Sequence, residues 1–393
     1  MRHILLIPPG SFLKRDYDRF GIEILKKFFS VKIIDLTPWL YPDISKIYSK
    51  QIYQCDEYIP ISNKEDFLNS ISEINSPIVI DRMQIDRKTH WVRSELKKKQ
   101  SFFVDLSLNK APEKKKDILS RINMLFSSLH KPKELFYKIF KFIEKNYYNS
   151  KKFLPDLIIC GGLDALNKSN LKMKIHAHSM DYDHYLEIKK KNISNHLSYA
   201  VFLDEDMVSH TDYILNNVKS PDNKDSYYSL LVKYLKKFEK ELNLPVHIAI
   251  HPKVSKNNLI NLPNLLKGIK YSVGNTAELV KNSSVVLLHC SNSVSFAVLF
   301  EKPTVFLTSN KLKKSWVGSR IENFSNLIGG RLINMNEEID KGFNISNLYE
   351  INFKKYKYYK EQYLKVPNSP ERSIWEIFSE YILKNSEVIN EKK

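Results

Sequence analysis

The sequence predicts a wound α/β chain with two parallel sheets facing each other across a cleft. Three observations lead there. Short apolar runs recur along the chain without polar alternation, as strands covered on both faces require. Helical patterns separate them, which is the alternation that winds a parallel sheet. The chain has 393 residues, 42% of them hydrophobic, which is too much for one typical core. It suits two domains of about 150–200 residues each.

The first series opens with an apolar run at 3–7, a helical pattern over 16–29 and VKIIDLT at 31–37. Further runs follow at 77–81 (PIVID), 102–106 (FFVDL), 156–160 (DLIIC) and 173–177 (MKIHA), with a helix over 63–75 that Asn63 can cap. The second series starts with YAVFL at 199–203 and a helix at 225–242, then VHIAI at 246–250 and a helix at 275–282. It continues with VVLLH at 285–289, a helix at 293–300, TVFLT at 304–308 and RLINM at 331–335. A final helix near 370–385 takes Ser369 as cap and Pro370 in its first turn.

The polar stretch KKKNISNH at 189–196 divides the two series. The expected domains are therefore 1–190, with a helical insertion near 110–152, and 197–366, which binds a nucleotide. Residues 367–393 form a C-terminal helix that packs back on the first domain. Two such sheets place a ligand cleft between their carboxyl ends, lined from the first domain by the loops after residues 7, 81 and 106.

Lys plus Arg number 62 against 44 Asp plus Glu, a net charge of +18 that favours phosphate-rich partners. Nucleic acid is not expected, because the basic residues are spread along the chain without a recognition motif. The segment 131–152 alternates lysines with aromatic residues at helical spacing. It either rests on an anionic membrane surface or packs as an inserted hairpin with its lysines in water. Cys55, Cys160 and Cys290 are an odd, widely spaced set without metal-type spacing, which favours a reducing compartment. The opening apolar run is too short for a signal peptide, and no run approaches the roughly 20 residues of a membrane span. A cytoplasmic protein follows, peripheral on the inner membrane face if 131–152 binds lipid.

Candidate chemistry collects at strand ends. Asp204-Glu205-Asp206 directly follow YAVFL, with His210 and Asp212 beyond. Three acids at the mouth of a strand offer a general base, and crowding raises the pKa of at least one. Asp181 and Asp183 follow the run holding His176 and His178. A cleft-lining or catalytic role suits these two acids better than a metal site. His251-Pro252-Lys253 end VHIAI, where an imidazole can meet a phosphate oxygen. Glu278, on the following helix, either reaches a ribose or stays solvated. His289, Ser291, Asn292 and Ser293 form a polar turn between VVLLH and its helix, a suitable place for an anion. The plainer reading is an ordinary turn with Ser291 as helix cap. There is no G-x-G-x-x-G and no Walker sequence, which speaks against NAD enzymes and P-loop NTPases. No cofactor is expected, and no metal if the groups around the phosphate carry its charge.

The order of these motifs resembles bacterial GT-B glycosyltransferases, above all the sialyltransferase, polysialyltransferase and related capsule enzymes that use CMP-activated acidic sugars. In those families an Asp/Glu-Asp/Glu-Gly motif supplies the base, a His-Pro motif contacts the CMP phosphate, and a Ser/Thr pair grips the same phosphate. Asp204-Glu205, His251-Pro252 and Ser291 with Ser293 match in order, within about residues 199–310. Asp206 stands where the motif has glycine. The His-Pro, the Ser-rich turn and Phe296-Ala297 before Lys302-Pro303 also resemble CDP-glycerol glycerophosphotransferases.

The resemblance implies a metal-independent transferase that moves a CMP-activated sugar of the sialic, nonulosonic or Kdo type onto a surface-glycan acceptor. The resemblance puts the base at Asp204 or Glu205; Asp183 and Asp181, by their position after a strand, are the other candidates for it. A polyol-phosphate transferase, or a GT-B enzyme using a UDP- or GDP-sugar, is the alternative within enzymes. A non-catalytic basic binding protein is the alternative outside them.

Overall fold

The computed structural model describes residues 1–108, 154–191, 198–210, 213, 218–252, 254–341 and 347–391. The segment 131–152, the linker residues 192–197, Asp212 and Lys253 lie outside the described residues.

Two parallel sheets form. The first holds β1 (His3–Ile7), β2 (Ser30–Asp35), β3 (Tyr58–Pro60), β4 (Ile78–Asp81), β5 (Phe102–Ser107), β6 (Leu157–Cys160) and β7 (Met173–His176). Their order is β3-β2-β1-β4-β5-β6-β7. The second holds β8 (Ala200–Leu203), β9 (Val246–Ile250), β10 (Lys270–Val273), β11 (Val285–Leu288), β12 (Thr304–Thr308) and β13 (Arg331–Asn334), in the order β10-β9-β8-β11-β12-β13. Central strands such as β8, β11 and β12 are buried at every position, which is why they read as unbroken apolar runs. The apolar-run reading missed β3 and β10. Both are edge strands, and the exposed KYSV of β10 has no second face to cover.

Some helices differ from their sequence patterns. The stretch at 16–29 is two helices, Lys14–Arg19 and Ile22–Leu25, parted by Gly21 at φ 53°. A Cβ on Gly21 would collide with the Trp375 indole, so this position needs glycine for space as well as conformation. The last helix is Ile374–Lys384, capped by Ser373, whose Oγ accepts from the Trp375 amide at 3.3 Å. Ser369 does not cap it: its hydroxyl donates to the carbonyls of Val366 (2.7 Å) and Ala177 (3.0 Å), and Pro370 lies outside the helix.

The chain crosses back between the sheets near its end. Tyr356 and Tyr359, on the helix Phe353–Tyr359, join the core of the second sheet. A π-helical turn, Lys360–Leu364, follows, and Lys365 then bridges to His178. Beyond it, Ile374, Trp375 and Phe378 enter the core of the first sheet. The Trp375 ring lies 6.0 Å from Phe20, and its Nε1–H donates to the Arg19 carbonyl at 2.8 Å. Among the described residues no helix is long and apolar enough to cross a membrane.

Candidate active site

The order of the second sheet sets the site. β8 lies between β9 and β11, so successive connections leave it in opposite directions and open a crevice at the carboxyl ends. In register, Leu203 pairs with both Ala249 and Leu288. Residues 204–206, 251–252 and 289–293 therefore emerge side by side. Gln51 Nε2 donates to the Val254 carbonyl at 3.3 Å, so the first domain approaches this edge of the second.

Two of the three clustered acids hold the loops together. Asp204 is buried, and its Oδ2 accepts from the His251 amide at 3.2 Å. It also accepts from the amides of Glu205 and Asp206, while burial pushes its pKa up. Glu205 reaches the other way. Its Oε1 accepts from the Cys290 amide at 2.5 Å, and its Oε2 lies 3.4 Å from Cys290 Sγ. Burial, opposed by that amide and by the Arg320 charge, pushes the Glu205 carboxyl up to about 7.

Asp206 differs from both. It takes φ 50°, the left-handed conformation that suits the glycine of the motif and that aspartate tolerates. Burial and the Asp204 charge push it up to about 7, with Lys224 opposing. Its carboxylate makes no hydrogen bond or ion pair among the described residues. The sequence places Asp206 among three acids at the strand mouth, in the motif's glycine position, while the resemblance carries the base only to Asp204 and Glu205.

His251 and Pro252 are half-buried at the cleft, and the His251 ring packs edge-on to His210 with centroids 5.0 Å apart. His289 is not available to a phosphate. It is wholly buried, with Nδ1 2.7 Å from the Leu307 carbonyl and Nε2 2.9 Å from the Tyr227 hydroxyl. The carbonyl can only accept, so Nδ1 carries the proton and bare Nε2 accepts from Tyr227. Desolvation pulls its pKa down to about 4, so the ring is neutral and structural.

Beyond it the turn opens. Ser291 is buried and its Oγ accepts from the Ser293 amide at 3.3 Å, whereas Asn292 is exposed and Ser293 half-buried. The amides of Ser291 and Asn292 have no acceptor among the described residues. Glu278 takes Lys191 Nζ on Oε1 at 3.3 Å, but its Oε2 is buried without a partner among the described residues.

Asp181 and Asp183 belong elsewhere. Asp181 accepts from Arg19 Nη2 at 2.8 Å. Asp183 accepts from the Ser373 hydroxyl (3.1 Å) and the Ile374 amide (3.2 Å), fastening the C-terminal helix, and burial pushes its pKa up to about 6. Both were read as cleft acids because they follow a strand. The chain returning at 373–374 covers Asp183, a contact across 190 residues of sequence. Among the described residues no group of three or more His, Cys, Asp or Glu is arranged to hold a metal ion.

Two wound parallel sheets with a crevice at the carboxyl ends of the second, and a C-terminal helix returning to the first, define a GT-B fold. No protein-family model matches the chain, and no curated protein matches it in sequence. Solved structures do match. The S. aureus MnaA–UDP co-structure is 12% identical, with TM-score 0.52, covering 100% of this chain and 98% of its own. A variant of the wall teichoic acid polymerase TagF is also 12% identical, with TM-score 0.53, covering 100% of this chain and 90% of its own. At such identity the likeness is one of fold.

Proposed function

We propose that the chain is a glycosyltransferase whose second domain binds a nucleotide-sugar donor and whose first binds the acceptor, with domains at 1–190 and 197–366 and a C-terminal helix in 367–393. The observation that carries this reading is the pair of acids at the end of β8. Asp204 ties down the His251 turn and Glu205 the Cys290 turn, so the two anion-suited loops are held together at the crevice. A uridine nucleotide is the favoured donor, because a protein of this fold is solved with UDP. The order of motifs supports the CMP-activated acidic sugar only by resemblance.

In this mechanism the open amides of Ser291 and Asn292, the Ser293 hydroxyl and the His251 ring surround the donor phosphate. They meet the charge that develops as the sugar–phosphate bond breaks. Glu278 offers its unpartnered Oε2 to a ribose hydroxyl. Asp206 removes the proton of the acceptor hydroxyl as it attacks the anomeric carbon. A carboxylate raised to about 7 is well matched to that task near neutral pH.

The test is a thermal-shift titration with UDP, GDP, CDP and CMP. A nucleotide at a hundred times its Kd adds about 2.7 kcal/mol to the folded state. UDP is expected to raise the midpoint most, with Ser293→Ala and His251→Ala reducing the shift. Preference for CMP would restore the acidic-sugar reading, and CDP preference the polyol-phosphate one. No shift with any nucleotide would leave a basic binding protein.

A further inference from the structure

The carboxyl edge of the first sheet carries a second cluster that the donor site leaves unused. Arg15 and Arg19 stand one turn apart on the helix Lys14–Arg19, entered from β1, and Arg82 directly follows β4. β4 lies between β1 and β5. Arg19 lies within electrostatic reach of the other two: it opposes the charge on both Arg15, held down to about 10, and Arg82, with burial as the larger cause at each.

The nearby acids are largely committed. Asp181 is paired with Arg19 at 2.8 Å, Asp81 with Arg93 at 2.5 Å, and Asp16 accepts from the Leu13 amide at 3.2 Å. Asp105, half-buried on β5, is the one further acid that attracts Arg82. Arg82 donates to the Leu106 carbonyl at 2.9 Å, and Arg15 makes no hydrogen bond or ion pair among the described residues.

Two hydroxyls stand at the carboxyl ends of the flanking strands. Ser11, in the loop after β1, and Ser107, the last residue of β5, are 6% and 3% exposed. The Oγ of each is buried without a hydrogen-bond partner among the described residues. A buried hydroxyl without a partner is costly, and two of them stand at the ends of the strands on either side of Arg82.

We propose that this cluster seats a phosphoryl group carried by the acceptor, with Arg15 and Arg82 as its charged donors and Ser11 and Ser107 as its hydroxyl donors. Arg19 adds charge from its pair with Asp181. Two guanidinium forks and two hydroxyls supply more donors than the two oxygens of a carboxylate accept, whereas a phosphoryl group offers three. The word acceptor rests on the transferase reading; the anion site does not.

Calorimetric titration of the full chain decides it. The protein is first saturated with UDP so that the donor loops are filled, then titrated with inorganic phosphate and, at equal ionic strength, with acetate. Phosphate is expected to bind at least about tenfold more tightly than acetate. Arg15→Gln and Arg82→Gln should each weaken phosphate by about tenfold or more while UDP affinity stays within about twofold. Ser107→Ala, which removes one hydroxyl and little volume, reads the same contact if an arginine variant fails to fold. Equal binding of acetate, or phosphate binding unmoved by Arg15→Gln and Ser107→Ala, would overturn the site. If UDP does not bind, the transferase reading falls, and the phosphate and acetate arms still decide the anion site.

Discussion

Replacing Glu205 by glutamine keeps the shape that links β8 to the Cys290 turn and removes one titration. The Cys290 amide still has an oxygen to donate to. The carboxyl has an ordinary pKa of 4.5 and is raised to about 7 in the folded protein, chiefly by burial. A group whose folded pKa lies above its unfolded one holds its proton longer in the folded state. The native chain therefore loses stability as pH climbs from 4.5 toward 7, and the loss stays constant above that. The full shift corresponds to about 3 kcal/mol, and partial exposure of the residue reduces this to about 2 kcal/mol. Glu205→Gln should match the native chain near pH 4.5 and exceed it by that amount at about pH 8. Denaturant midpoints or melting curves at a series of pH values read the difference, at about 2–4 °C per kcal/mol for a domain of this size. Asp206 titrates in both proteins and cancels. An offset that does not change with pH, or a variant less stable than the native chain at about pH 8, would refute burial as the cause of the shift.

Other outcomes follow from named contacts. If Asp206 is the base, transfer rises with pH through about 7 and levels above it, since a base acts deprotonated; Asp206→Asn should abolish the rise and slow transfer by about 10²–10⁴-fold in a pH–rate series. Trp375→Ala removes a fully buried indole at the junction of the C-terminal helix with Phe20 and Arg19. It should cost about 3–5 kcal/mol in a denaturant titration. Gly21→Ala places a Cβ against that indole at positive φ, so its cost should shrink when Trp375 is already alanine, which a double-mutant cycle measures. Tyr227→Phe strips the donor from His289 Nε2 and should cost about 1–3 kcal/mol in stability. UDP affinity should be unchanged, in keeping with a structural histidine.

The wound fold was legible because its central strands are covered on both faces, and such strands must be apolar throughout. VVLL and TVFLT announce themselves for that reason. Edge strands lack that constraint, and KYSV gave no signal. The loops of the candidate site were legible as groups because catalytic-type residues cluster where parallel strands end. Asp204, Glu205, His251 and Ser291 do lie at adjoining strand ends.

Their individual roles were not legible. Asp204 and Glu205 read as bases, but their carboxylates are occupied by backbone amides of the neighbouring loops. His289 and Ser291 differ by two positions, yet Tyr227, 62 residues away, takes the first into the core. Asp183 is held by Ser373 and Ile374, at the far end of the chain. Periodicity and burial are local demands on residue type, so the chain order alone determines two wound sheets and the positions of their carboxyl ends. A side chain's hydrogen-bond partners come from whichever segment folds against it. Only the assembled structure decides which acid is spent on the backbone and which stays open to a ligand.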